Sequence, residues 1–89
     1  MELSKKHRKT LGFIFETPVR SDVAWSDIER LFVALGADIT EGRGSRVRVA
    51  LKDVKAVFHR PHPQKETDKG ALKSVRRFLT EANFAPEED

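Results

Sequence analysis

The chain has 89 residues, 38% of them hydrophobic and 35% charged, which suits one soluble domain with a modest core and a heavily charged surface. Cysteine is absent, which excludes disulfides and thiolate metal sites, and the apolar run 11–15 is far too short for a signal-peptide core or a membrane span, so a cytoplasmic protein is expected. The formal net charge of +3 is unevenly placed: residues 41–77 hold eleven Lys/Arg against four Asp/Glu, an excess of +7 that favours a polyanionic partner, because neutralising phosphates releases counterions.

In chain order, residues 4–15 read as a first helix. Leu11, Ile14 and Phe15 share one face, Lys5, Lys6, Arg8 and Lys9 fall in the first turns, and Pro18 stops it. Residues 17–24 read as a linker. The second helix carries the clearest signal: Ser26 as N-cap with Glu29 three residues on predicts a capping box. Ile28, Leu31, Phe32 and Leu35 then repeat at i, i+3, i+4, i+7, and Gly36 supplies the stop. Trp25, just ahead of the cap, is expected to pack on the core.

Three strands follow, over 37–41, 46–51 and 54–60, with a flexible turn at Gly42, Arg43, Gly44 and Ser45. Val47, Val49 and Leu51 alternate with Arg46, Arg48 and Ala50, and Val54, Ala56 and Phe58 with Lys55, Val57 and His59. Lys52 and Asp53 close a hairpin. A two-residue loop pairs Leu51 with Val54, Val47 with Phe58 and Arg46 with His59, whereas a four-residue loop sets His59 opposite Arg48. Both registers keep the faces matched and place His59 beside an arginine. Pro61 and Pro63 end the strand. Thr67 or Asp68 caps a last helix with Leu72, Val75, Phe78, Leu79 and Ala82 buried and a basic stripe of Lys69, Lys73 and Arg76. The order α-α-β-β-β-α implies an α+β fold, with the helices packed on one face of a three-stranded antiparallel sheet and the other face polar and arginine-rich.

The chemistry-bearing residues gather late in the chain. His7 lies in a basic run and reads as surface, whereas His59 and His62 bracket Arg60 and Pro61. Histidine serves as general base or acid at neutral pH, and RNA carries its own nucleophile in the 2′-OH. A ribonuclease then needs only a base, an acid and cations around the phosphorane, and histidine with Arg46, Arg48 or Lys65 meets that need. His59 and His62 alone cannot fill a tetrahedral site, so neither metal nor cofactor is expected. Lys65, Lys69 and Lys73 lie at and just inside a helix N-terminus, a place suited to phosphate. No phosphate-loop, dinucleotide or serine-hydrolase motif is present. A purely protein-binding reading stands beside this one, with Phe13, Ile14 and Phe15 as a docking surface.

The order of Leu35-Gly36, Gly44-Ser45, Pro61-His62-Pro63, Asp68-Lys69-Gly70 and the Leu72/Val75 helix resembles the HicA toxins of bacterial toxin–antitoxin pairs over residues 25–84. The resemblance implies a double-stranded-RNA-binding-domain-like fold, metal-independent cleavage of mRNA, and neutralisation by a HicB antitoxin, with no membrane and no small-molecule cofactor. It divides the chain into an N-terminal helical extension and linker (1–24), the RNA-binding toxin domain (25–84) and an acidic tail (85–89). The family's catalytic histidine follows the Gly-Ser pair, and here that position is Arg46, which stays protonated and cannot be a general base. Either His59 or His62 acts instead, with Arg46 on the scissile phosphate, or the chain binds RNA or its antitoxin without cutting. Arg43, Ser45, Arg48, Arg60, Lys65, Lys69 and Lys73 complete the expected RNA contacts.

Overall fold

Two periodicities build the layers, one of 3.6 residues in the helices and one of two in the strands. A computed structural model describes residues 3–86, and the acidic Glu87, Glu88 and Asp89 of the tail lie outside them. The elements run α1 (Lys5–Ile14), α2 (Trp25–Ala34), β1 (Asp38–Glu41), β2 (Arg46–Leu51), β3 (Val54–His59) and α3 (Lys69–Glu81). The strands form one antiparallel sheet in the order β1-β2-β3. From α2 to α3 this is the double-stranded-RNA-binding-domain-like arrangement, with α1 added in front of it.

Helix ends follow local chemistry. The Ser4 hydroxyl accepts the His7 N–H at 3.2 Å to start α1, and the Asp68 carboxylate accepts the Ala71 N–H at 2.7 Å to start α3. Of the two residues proposed to cap α3, Thr67 is instead buried. Gly36, at φ +98, ends α2: its N–H reaches the Val33 carbonyl and the Ala37 N–H the Phe32 carbonyl, the paired bonds of a Schellman motif. Asn83, at φ 65, repeats the device after α3.

The capping box expected at Ser26 does not form. The helix starts two residues earlier, its N-cap is Ala24, and no side chain caps it. Glu29 instead meets the Arg60 guanidinium through two oxygens, at 2.6 and 3.0 Å, and accepts the Trp25 indole N–H. A bidentate charge-assisted pair outweighs a single bond to a backbone N–H. The Trp25 backbone N–H is taken by the Lys65 carbonyl at 3.0 Å, which ties the loop after β3 to the start of α2.

The hairpin takes the two-residue register, pairing Arg46 with His59, Val47 with Phe58 and Leu51 with Val54. β3 stops at His59 rather than Arg60, although the Arg60 N–H still reaches the Ser45 carbonyl at 2.9 Å. Lys52 takes a φ of 56 to close the loop, and its ammonium lies 4.5 Å from the centre of the Phe84 ring, a cation–π contact that helps to offset the strain. The inward strand residues Val47, Val49, Leu51 and Phe58 meet Leu72, Val75, Phe78 and Leu79 of α3 and Ile28, Leu31 and Phe32 of α2 in one core. Trp25, Phe32, Phe58 and Phe78 are its aromatic centre, with ring centroids 5.4–6.4 Å apart, and Trp25 packs there as expected.

α1 is part of this core. Ile14 is 0% exposed, so the segment 13–15 is no open docking surface. Arg76, expected in the basic stripe of α3, turns inward and donates to the carbonyls of Ile14 at 3.0 Å and Glu16 at 2.8 Å. Those carbonyls would otherwise lack partners at the end of a helix, and the guanidinium carries two aligned donors toward them.

Candidate nucleic-acid interface

Alternation leaves the outer face of the sheet to three rows of side chains. Asp38, Ala50 and Lys55 make one row, Thr40, Arg48 and Val57 the next, and Arg46 and His59 the last, with Gly42 beside Arg46. The Arg60 N–H bond to Ser45 sets the phase of the ladder, so Arg46 and His59 face each other at a non-hydrogen-bonded pair, where Cα atoms approach to about 4.5 Å and side chains lie closest. Both are exposed.

Gly42 has a steric role here. A Cβ on it would meet the Arg46 Cβ at 3.0 Å, so any side chain there would push the two strands apart by a few tenths of an ångström beside Arg46. The link between β1 and β2 turns through Gly44 at φ +60, with the Arg46 N–H bonded to the Arg43 carbonyl at 3.1 Å; glycine at the first central position is what a type II′ turn requires. Arg43 and Ser45 are exposed on that turn, next to Arg46. The result is a rim of Arg43, Ser45, Arg46, Arg48 and His59 on one edge of the sheet, with no acidic side chain among them.

Arg60 lies on the helix side of the same end. It joins Glu29 of α2 to Glu41 at the end of β1, with Nη1 and Nη2 at 2.6 and 2.9 Å from the Glu41 oxygens. Hydrogen bonds donated to Glu29, then to Glu41, hold the guanidinium above its already high ordinary value, and the bond from Arg60 holds the Glu41 carboxyl below the usual glutamate range. The Arg60 side chain is thus engaged by two carboxylates. It ties β1 and the end of β3 to α2 beneath Arg46 and His59.

The lysines expected as phosphate contacts, Lys65, Lys69 and Lys73, lie toward the same end. The Lys52–Phe84 contact sets the C-terminal end of α3 beside the β2–β3 hairpin. The N-terminal end of α3, with exposed Lys69 and Lys73, therefore lies toward the opposite end of the sheet, where β3 finishes at His59. Lys65 and His62 are exposed on the loop between them. Among the described residues there is no group of three His, Cys, Asp or Glu side chains placed to hold a metal ion, and no helix long and apolar enough to cross a membrane.

The family model described as the HicA toxin of bacterial toxin–antitoxin systems matches residues 25–83. The chain belongs to the HicA toxin family. No curated protein and no solved structure matches it. Membership of a toxin–antitoxin family implies an antitoxin partner. The matched span begins at Trp25, whose indole bonds Glu29, and ends at Asn83, which closes α3. α1 lies wholly in front of it, yet it contributes Ile14 to the HicA core.

Sequence reasoning misses two residues that shape this site: spacing assigns Glu29 to a cap and Glu41 to an ordinary strand end, because their common partner Arg60 is 31 and 19 residues away. Gly42, Arg43 and Gly44 read in the sequence as a turn that permits close backbone approach, and Gly42 makes that approach to Arg46, which it faces once the β1–β2 register is extended by one pair.

Proposed function

We propose that this HicA-family chain binds mRNA in the cytoplasm through the rim of Arg43, Ser45, Arg46, Arg48 and His59 and cleaves it without a metal, until a HicB-like antitoxin covers that rim. The observation that carries the reading is the cross-strand pair of Arg46 and His59 at an exposed, cation-rich sheet end. The family's histidine position holds a permanent cation, and a histidine stands directly opposite it. The two required functions, charge for the phosphorane and a base for the 2′-OH, are thus divided between neighbours.

In this reading Arg46 holds the scissile phosphate and His59 takes the 2′-hydroxyl proton as the 2′-oxygen attacks phosphorus. The bond to the 5′-oxygen breaks, and the leaving oxygen takes a proton from His62 on the following loop. The products are a 2′,3′-cyclic phosphate and a 5′-hydroxyl. Lys65, Lys69 and Lys73 hold flanking phosphates at the start of α3. Arg60 fixes the two strand ends rather than taking a phosphate, since Glu29 and Glu41 already occupy its guanidinium.

The test is incubation of the purified chain with single-stranded mRNA in EDTA, followed by end-group analysis. Fragments ending in 2′,3′-cyclic phosphate are expected. A second reading is favoured by Arg46 itself: a toxin-derived module that binds RNA without cutting it. Intact but bound RNA would decide for that reading, and absence of binding would remove both.

A further inference from the structure

The first turns of α1 carry Lys5, Lys6, Arg8 and Lys9, all exposed. At 3.6 residues per turn Lys5, Arg8 and Lys9 occupy the side of the helix away from the buried Ile14, and Lys6 lies on its flank. None of the four has an ion-pair partner among the described residues. Other surface cations of the same region do: Arg20 bonds Glu16 and Asp22, and Arg30 bonds Asp27.

The placement is also electrostatically adverse. A helix N-terminus carries partial positive charge, which favours acidic side chains in the first turn and basic ones in the last. α1 has no acid in its first turn and no base in its last, so its four cations crowd the positive end. The C-terminal end is served by Arg76 of α3 instead. Among the described residues Lys9 finds a compensating contact over the Phe13 ring, 5.8 Å from its centre, while Lys5, Lys6 and Arg8 break the local rule with none, as in a residue set kept for a partner.

The location names the partner. His7, on the same helix, lines a groove with Glu29, Arg30, Glu41 and Arg60. Glu41 and Arg60 are the residues that close the underside of the Arg46–His59 end. His7 thus sets the first turns of α1 beside that end of the sheet on its helix side, and a backbone leaving the rim would pass round the β1 edge to reach the exposed face of α1. We infer that the exposed face of α1 is a second phosphate-binding surface, which takes the RNA backbone beyond the rim and lengthens the single-stranded footprint past the family domain at 25–83. This rests on the RNA reading above. Contacts from these cations to phosphate oxygens carry no sequence information.

The test compares the full chain with its Lys5→Gln/Lys6→Gln/Arg8→Gln/Lys9→Gln variant, using a fluorescent 2′-O-methyl RNA that cannot be cut. Glutamine keeps the helix propensity and removes the charge. The variant should bind roughly tenfold or more weakly near physiological salt, with the slope of log K against log salt flattened by about 0.7 for each lost phosphate contact. Its Tm should stay level or rise, because repulsion at the helix end is relieved. A Lys5→Arg/Lys6→Arg/Lys9→Arg variant, which keeps the charge, should bind as the parent does and guards against an effect of side-chain shape. Unchanged affinity and slope in the glutamine variant, alongside weakened binding by Arg46→Ala, would overturn the α1 surface and leave the RNA reading standing. Loss of antitoxin binding with RNA binding intact would also overturn it and reassign the face to protein. A parent chain that binds no RNA would sink both readings together.

Discussion

The two faces of the sheet come from the same three strands and differ in what their side chains have found. On the inner face Val47, Val49, Leu51 and Phe58 are buried against two helices, and at its end Arg60 is held by Glu29 and Glu41. On the outer face Arg46, Arg48, Lys55 and His59 are exposed, and Val57 is 54% exposed at its centre. The contrast between Arg46 and Arg60 is sharpest, because they lie at one end of the sheet with equal charge and opposite circumstances. An arginine whose donors are satisfied by carboxylates stabilises a fold, whereas an exposed one beside a histidine is available to a ligand. Function is to be sought on the face where charge is unpaired.

Changes on the two faces should therefore separate. On the outer face, His59→Ala should lower RNA cleavage by about 10²–10⁴-fold, the usual contribution of a general base, with thermal stability unchanged. Arg46→Ala should weaken RNA binding and cleavage together, again without loss of fold. Measuring kcat and Tm on the same samples checks both, and a drop in Tm that tracks the drop in activity would erase the distinction between the faces. On the inner face, Phe58→Ala should cost about 3–5 kcal/mol of stability in denaturant unfolding, because it removes one ring of the four-aromatic centre. In so small a domain that is a large share of the total.

The Arg60 clamp sharpens the comparison at lower energy. Arg60→Met leaves Glu29 without its bidentate partner, and Glu29 and Arg60 side chains are 21% and 32% exposed. Partial screening by solvent reduces the loss to about 2 kcal/mol. The pH dependence follows from Glu41, whose carboxyl Arg60 holds below the usual glutamate range. A depressed carboxyl adds stability above its unfolded pKa, and that stability disappears as pH falls through the folded value. Stability curves of the parent chain and the variant should converge in acid, starting below about pH 4.5. Parallel curves down to the acid limb would show that the Arg60–Glu41 bond adds nothing in solution.

The strands were legible in the sequence because their signal is local. Period-two alternation over 46–51 and 54–59, with two residues between, led to the observed pairing of Arg46 with His59 as one of two registers. The buried stripes of α2 and α3 were legible for the same reason. What was not legible is every interaction made by a long polar side chain across the fold. Glu29 fits a capping box by spacing, yet its partner is Arg60. Arg76 fits a basic stripe with Lys69 and Lys73, yet it reaches carbonyls 62 and 60 residues away. Arg60 was placed among the RNA contacts because a cation near two histidines invites that reading, and no local pattern announces a distant pair of carboxylates. Arginine and glutamate extend far enough that their neighbours are set by packing, which sequence spacing does not encode.

The smallest expected effect concerns a polar group on the buried side with no partner at all. Thr67 is 1% exposed, and its hydroxyl has no hydrogen-bond partner among the described residues. Its backbone N–H donates to the Val23 carbonyl at 2.8 Å, so the strap that ties this loop to the start of α2 does not depend on the side chain. Valine has nearly the same shape and no hydroxyl to desolvate. Thr67→Val should then raise stability, by at most about 1 kcal/mol, and leave RNA cleavage unaltered, since Asp68 rather than Thr67 caps α3. A gain in Tm with unchanged kcat would show that the inner side tolerates loss of a polar atom that the outer side would not. A loss in Tm would mean that an ordered water satisfies the hydroxyl, and Thr67 would then join Arg60 as a polar residue the interior has accommodated.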